Sequence, residues 1–205
     1  MKKIFAAAAA LLMLAGANAF AQISVGAGYL NSTLDSKYNG NKVSEGARGS
    51  MNGFYVGASY NLKFGEFGIA PGIYYSFLGG SDKAILNTDV KAVEQAINVP
   101  VNFNYGYNLN GVRLFAFAGP TVQFGLSSKS TTTNSGVSVV TNYYADNSNY
   151  SRFNLYLGGG LGADLMDQIQ VTVGFDYGVL NLYKGSDSKA SQHRYNLKLG
   201  VAYLF

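Results

Sequence analysis

The last eleven residues, 195-YNLKLGVAYLF-205, alternate at a strict period of two. Tyr195, Leu197, Leu199, Val201, Tyr203 and Phe205 form one apolar row, and Asn196, Lys198, Gly200, Ala202 and Leu204 lie between them. That period marks a strand with two unlike faces. A fraying terminus needs no such pattern, so this segment is expected to be held by neighbours.

Working back along the chain, the same period recurs near 22–30, 52–64, 67–79, 93–109, 112–126, 152–165 and 169–182. With 193–205 this predicts eight strands. Each has an apolar face, such as Phe54/Val56/Ala58/Tyr60/Leu62/Phe64 or Ile169/Val171/Val173/Phe175/Tyr177/Val179. The opposite faces are polar or small: Glu94, Asn98, Asn102 and Asn104 on the fourth segment, and Gln170, Thr172, Gly174 and Asp176 on the seventh. Gly65-Glu66, Asn110-Gly111 and Met166-Asp167-Gln168 read as hairpin loops, and Asn-Gly is the strongest short-turn signal. Between them lie polar connections near 31–51, 80–92, 127–151 and 183–192, so short and long links alternate. The turns test the faces independently. The flanking pairs Phe64/Phe67, Leu109/Val112 and Leu165/Ile169 all fall on apolar faces, as residues opposed across a hairpin must.

An eight-stranded closed sheet has an interior just wide enough for side chains. The aromatic-bearing faces are too bulky for it, whereas the opposite faces are mostly Gly, Ala, Ser, Asn and Thr. Aromatics also cluster towards both strand ends, with Phe64, Phe67, Tyr105, Tyr107, Tyr203 and Phe205 at one and Phe54, Phe77, Phe124, Phe153 and Tyr195 at the other. Two such girdles, with short turns at one end and long loops at the other, match a membrane barrel. The expected fold is therefore all-β: an eight-stranded antiparallel up-and-down transmembrane β-barrel with short periplasmic turns and long extracellular loops. Unpaired backbone is costly in hydrocarbon, so the first strand should close against the eighth, with both termini periplasmic.

The N-terminus agrees with export. Lys2 and Lys3 precede an apolar run from Ile4 to Ala15, then Ala17-Asn18-Ala19-Phe20-Ala21. This reads as a signal peptide over 1–21, cleaved before Gln22, leaving a barrel domain over 22–205. Removing the two lysines lowers the net charge from +4 to about +2, and no basic run remains to support a nucleic-acid partner. Cysteine is absent, which excludes disulfides and thiolate metal sites.

One stretch, AINVPVNFNYGYNLNGVRLFAFAGPTVQFGLSSK at 96–129, resembles the small outer-membrane β-barrel family that includes PorT-like proteins, common in Bacteroidota and often termed porin-family. GGGLGADL (158–165) and the terminal KLGVAYLF are similar to its later strands. The resemblance implies the cell outer membrane of a Gram-negative envelope and carries no catalytic residues. By similarity to outer-membrane proteins generally, the terminal aromatic pattern looks like the signal read by the barrel-assembly machinery.

Seven charges are expected on lumen-facing positions. Lys63, Arg113 and Asp164 lie near the short-turn ends, Asp176 and Lys198 near mid-strand, and Glu94 and Arg152 towards the long-loop rim. Hairpin symmetry sets Asp176 beside Lys198, and Arg113 opposite Asp164. They read either as paired filler, since buried charges must be paired or solvated, or as a polar pathway or gate. His193 has Tyr195 where lipid A deacylase barrels carry serine, so a catalytic reading fails there. The glycines of 158–162 are not followed by a helix, as a phosphate loop requires; they read as room for bulky lumen residues such as Tyr156. The polar 127–151 segment contains VSVV, able to extend a hairpin. The expected protein is a monomer set among outer-membrane lipids and lipopolysaccharide, without enzymatic activity, cofactor or metal. It would act structurally or by surface interaction through its loops with an extracellular ligand. A narrow channel for small solutes is the alternative, and a lipid-modifying enzyme the remotest.

Overall fold

The computed structural model describes residues 20–43, 49–84, 88–134, 137–145, 149–185 and 189–205. Nearly all regular structure is strand: β1 (Phe20–Tyr38), β2 (Asn41–Val43), β3 (Ser50–Phe64), β4 (Phe67–Ala84), β5 (Thr88–Leu109), β6 (Val112–Asn134), β7 (Val137–Asn142), β8 (Phe153–Leu165), β9 (Ile169–Gly178) and β10 (Ala190–Leu204). All pairings are antiparallel, in the order β10-β9-β8-β6-β5-β4-β3-β1. β10 also pairs with β1, from Ser24↔Leu204 to Tyr38↔Ala190, which closes the sheet into a ring. The C-terminal segment is thus held on both edges, by β1 and β9.

Ten strands are present among the described residues, where the sequence predicted eight. The two extra ones, β2 and β7, are short partners of the upper parts of β1 and β6. Several ring strands also run further than expected, with β4 reaching Ala84 and β6 reaching Asn134. Residues 80–84, 88–92 and 127–134 are therefore ladder and not loop. In the upper part of β6 the inward Ser128 and Ser130 are buried and the outward Lys129 is exposed, so neither face carries an apolar row and the periodic signal stopped short. The expected signal peptide lies mainly outside the described residues, and β1 begins at Phe20, two residues before the expected cleavage point.

The turns show why their residues are there. Asn110 and Gly111 both have positive φ (46° and 87°), as a two-residue hairpin matched to the strand twist requires. Asn39 and Gly40 do the same (50° and 81°) between β1 and β2. The outer face carries the apolar rows: Ile23, Phe103, Leu161 and Val201 are each more than half exposed. The inner face carries Ser24, Ser32, Ser76, Asn154 and Asp164, all at most 2 % exposed. Polarity therefore points inward and apolarity outward.

The inner face is less uniformly small than the sequence reading held. Phe115 and Phe117 on β6 turn inward and lie over Gly162 and Gly160, their register partners on β8. A Cβ at either glycine would strike the facing ring, so this glycine run makes room for two phenylalanines from the next strand. A bulge in β6 opposite Gln95/Ala96 changes the parity of that strand. Below it Arg113, Phe115 and Thr121 point inward; above it Ser128 and Ser130 do.

Candidate functional site

Among the described residues, the charges enclosed by the ring form three levels. Near the short turns, Asp164 is fully buried at the end of β8. Its Oδ2 lies 3.2 Å from Lys63 Nζ and 3.5 Å from Arg113 Nη1, and its Oδ1 accepts a hydrogen bond from Gln170 (2.8 Å). Arg113 sits opposite Asp164 in the β6–β8 register and also donates to Asn104 Oδ1 (2.8 Å) and the Glu66 carbonyl (3.3 Å). Lys63 is on β3, diametrically across the ring from β8, so its ion pair spans the lumen.

At the middle level, Lys198 Nζ meets Asp176 Oδ2 at 2.6 Å between the neighbouring strands β10 and β9. The direct register partner of Asp176 is Asn196, so the ion pair is diagonal. Nearer the long loops, Arg194 forks onto Glu94 through both terminal nitrogens, Nη2 lying 3.2 Å from Oε1. Ser128, aimed inward by the bulge, donates to the same Oε1 (3.0 Å). β5 and β10 are also opposite one another in the ring, so this is a second bar across the lumen.

Two of these features escaped the sequence reading. Arg194 was not among the expected luminal charges, although its parity with Asn196 and Lys198 places it inside. The span of Lys63 to Asp164 needed the closed ring, because the two residues are 101 apart in sequence. Arg152 is a correction. It precedes β8, is exposed, and lies outside the luminal levels, donating to the Tyr144 carbonyl with its guanidinium 5.3 Å above the Tyr144 ring. It left the strand parity because the chain bends at that point to cover the mouth.

That cover is an apolar cluster. Tyr144 and Tyr150 from the β7–β8 connection, Leu182 from the β9–β10 connection and Leu34 of β1 pack together, each at most 9 % exposed. Tyr150 accepts a bond from Arg194 (3.4 Å), joining cover to bar. Below it, Leu30, Met51, Leu78 and Ala92 fill the lumen from the β1, β3, β4 and β5 side. Burial and the nearby Glu94 carboxylate raise the Tyr144 phenol well above its ordinary range, keeping it neutral.

Between the two bars lies a cavity of about 130 Å³. Its wall carries Lys63, Arg113, Asp176 and Lys198 together with amides such as Asn61, Asn98 and Asn104 and the rings of Tyr55, Tyr74, Phe115 and Phe117. None of Glu94, Arg194, Met51 and Leu78 lines it, so the hollow belongs to the short-turn and middle levels. His193 lies away from all of this. Its ring stacks on Tyr177 (5.8 Å between centroids), and its Nδ1 donates to the Gly178 carbonyl (3.0 Å). Among the described residues, no group of three or more His, Asp or Glu side chains is placed to hold a metal.

No curated relative matches the chain. Of solved structures, Ail, the attachment invasion locus protein of Yersinia pestis, in complex with the heparin analogue sucrose octasulfate, is 16 % identical, with 90 % of this chain and 99 % of that one aligned at a TM-score of 0.49. Neisserial surface protein A is 15 % identical over 91 % and 99 % (TM-score 0.42). The outer membrane enzyme PagL is 11 % identical over 88 % and 97 % (TM-score 0.45). The sequence profile of the outer membrane protein beta-barrel domain matches residues 7–205. The chain belongs to that family and is an outer-membrane β-barrel protein.

Proposed function

We propose that this protein is a closed, non-conducting barrel whose role is structural or surface-interacting, exercised at its long-loop end. The observation that carries this reading is the obstruction of that end: the Glu94–Arg194 bar and the Tyr144/Tyr150/Leu182/Leu34 cover both lie across the lumen. In this reading the eight ring strands cross the membrane, the short turns and both termini face the periplasm, and residues 1–21 are removed on export. The strands rise beyond the apolar rows and carry the outer loops, where an extracellular ligand would be met. Lipids and lipopolysaccharide surround a monomer, and the barrel-assembly machinery inserts it. Within the family, the resemblance of the 96–129 stretch favours a PorT-like member.

Enzymatic activity has no support in the surroundings of His193, whose ring meets a tyrosine face and a backbone carbonyl. The channel reading rests on the cavity, which would have to extend through the bar and the cover. Planar-bilayer recording of the purified full-length protein separates the two. The expected result is an absence of reproducible unitary openings. Steady openings of one size in the unaltered protein would sink the closed-barrel reading.

A further inference from the structure

The enclosed charges do not balance level by level. At the long-loop level one guanidinium meets one carboxylate, Arg194 with Glu94, and at the middle level one ammonium meets one carboxylate, Lys198 with Asp176. At the short-turn level two cations, Lys63 and Arg113, share the single carboxylate of Asp164. Both of its oxygens are engaged, Oδ1 by Gln170 and Oδ2 by the two cations. Lys63 has three N–H donors, and Asp164 takes one. The surplus charge abuts the cavity, which Lys63 and Arg113 both line. An uncompensated charge withdrawn from bulk water is costly. A space of about 130 Å³ has room for an ion with several waters.

We infer that the cavity holds a small monovalent inorganic anion, of chloride size, against Lys63 and Arg113. The ion completes the charge of the short-turn level and stabilises the folded barrel by binding it and not the unfolded chain. The site is independent of the surface role proposed above, since it concerns neither the loops nor conduction.

The test is urea unfolding of the full chain in phospholipid vesicles, with chloride replacing gluconate at constant ionic strength. The unaltered protein should show an unfolding midpoint that rises with chloride and saturates. Lys63→Met balances the level at one cation to one carboxylate and should abolish the rise. Asp164→Asn leaves two cations without their carboxylate and should steepen it. An equal response in all three proteins, or none in the unaltered one, overturns the site. If Lys63→Met does not fold, crystals of the unaltered protein grown in bromide decide. An anomalous peak beside Lys63 and Arg113 supports the site, and its absence there rejects it.

Discussion

The two ends of the lumen have the same ring around them and the same device across them, yet one is filled and the other hollow. Near the long loops, Glu94 and Arg194 pair one to one through a fork, Ser128 supplies a further hydrogen bond, and the buried Met51 and Leu78 occupy the lumen at that end. Near the short turns, Asp164 is shared by Lys63 and Arg113, and the space beside them stays open. The difference lies in stoichiometry. A one-to-one pair with its remaining lone pairs occupied can be packed dry, whereas a two-to-one cluster carries charge that only a counter-ion or water can meet.

The comparison breaks most sharply at Glu94. Glu94→Ala leaves Arg194 buried without its carboxylate and should cost about 3–5 kcal/mol, the range for one partner of a buried pair. Urea unfolding in vesicles measures it, and the double change Glu94→Leu with Arg194→Met should recover most of the loss. If Glu94→Ala costs less than about 1 kcal/mol, the long-loop end is not the dry region described. Met51, with no exposed surface, comes next. Met51→Ala should cost about 2–5 kcal/mol as a cavity in a packed region. Under the same assay a loss near zero would mean that this half is as loosely filled as the other.

The smallest effect concerns the cover. The Tyr144 phenol is raised above its ordinary value of 10.0, first by burial and then by Glu94. A raised folded-state value means that the neutral form is the one the fold favours. Its contribution is intact below about pH 10 and declines as pH climbs through the raised value. Absorbance near 295 nm should contain a component that titrates later than the exposed tyrosines, and Tyr144→Phe should make that late component smaller. A loss confined to the early part of the curve in Tyr144→Phe would place Tyr144 in solvent.

Much of the ring was legible because outward rows had to be apolar and inward rows could not be. Ile97 to Leu109 and Ile169 to Tyr177 alternate with enough contrast to fix both strand and face. Contrast fails where neither face is apolar, which is why the upper part of β6, SSKSTTTN, read as loop although Ser128 and Ser130 are buried. The β1–β2 hairpin carried an Asn39-Gly40 signal as strong as Asn110-Gly111, but only three paired residues follow it. The bulge opposite Gln95 erased the parity needed to place Ser128. Pairs between neighbouring strands are legible to within a diagonal step: hairpin symmetry sets Asp176 beside Lys198, whereas its direct register partner is Asn196 and Lys198 reaches it from two residues on. Pairs across the ring are not, because no local pattern states which strands will stand opposite when the sheet closes.

Those crossing pairs bear on the order of assembly. Glu94 and Arg194 are 100 residues apart, and Lys63 and Asp164 are 101 apart. Every hairpin from β3 to β10 can form from local contacts while both bars remain unmade. Only when β10 reaches β1 do the strands carrying these charges come to face each other at fixed separation. Such long-range contacts are late and slow because their loop-closure entropy precedes their reward. Seam closure therefore does two things in one step: it pairs the last free backbone edges and brings the distant charges together, so an unsealed sheet presents its whole inner wall to bulk water and a sealed one does not.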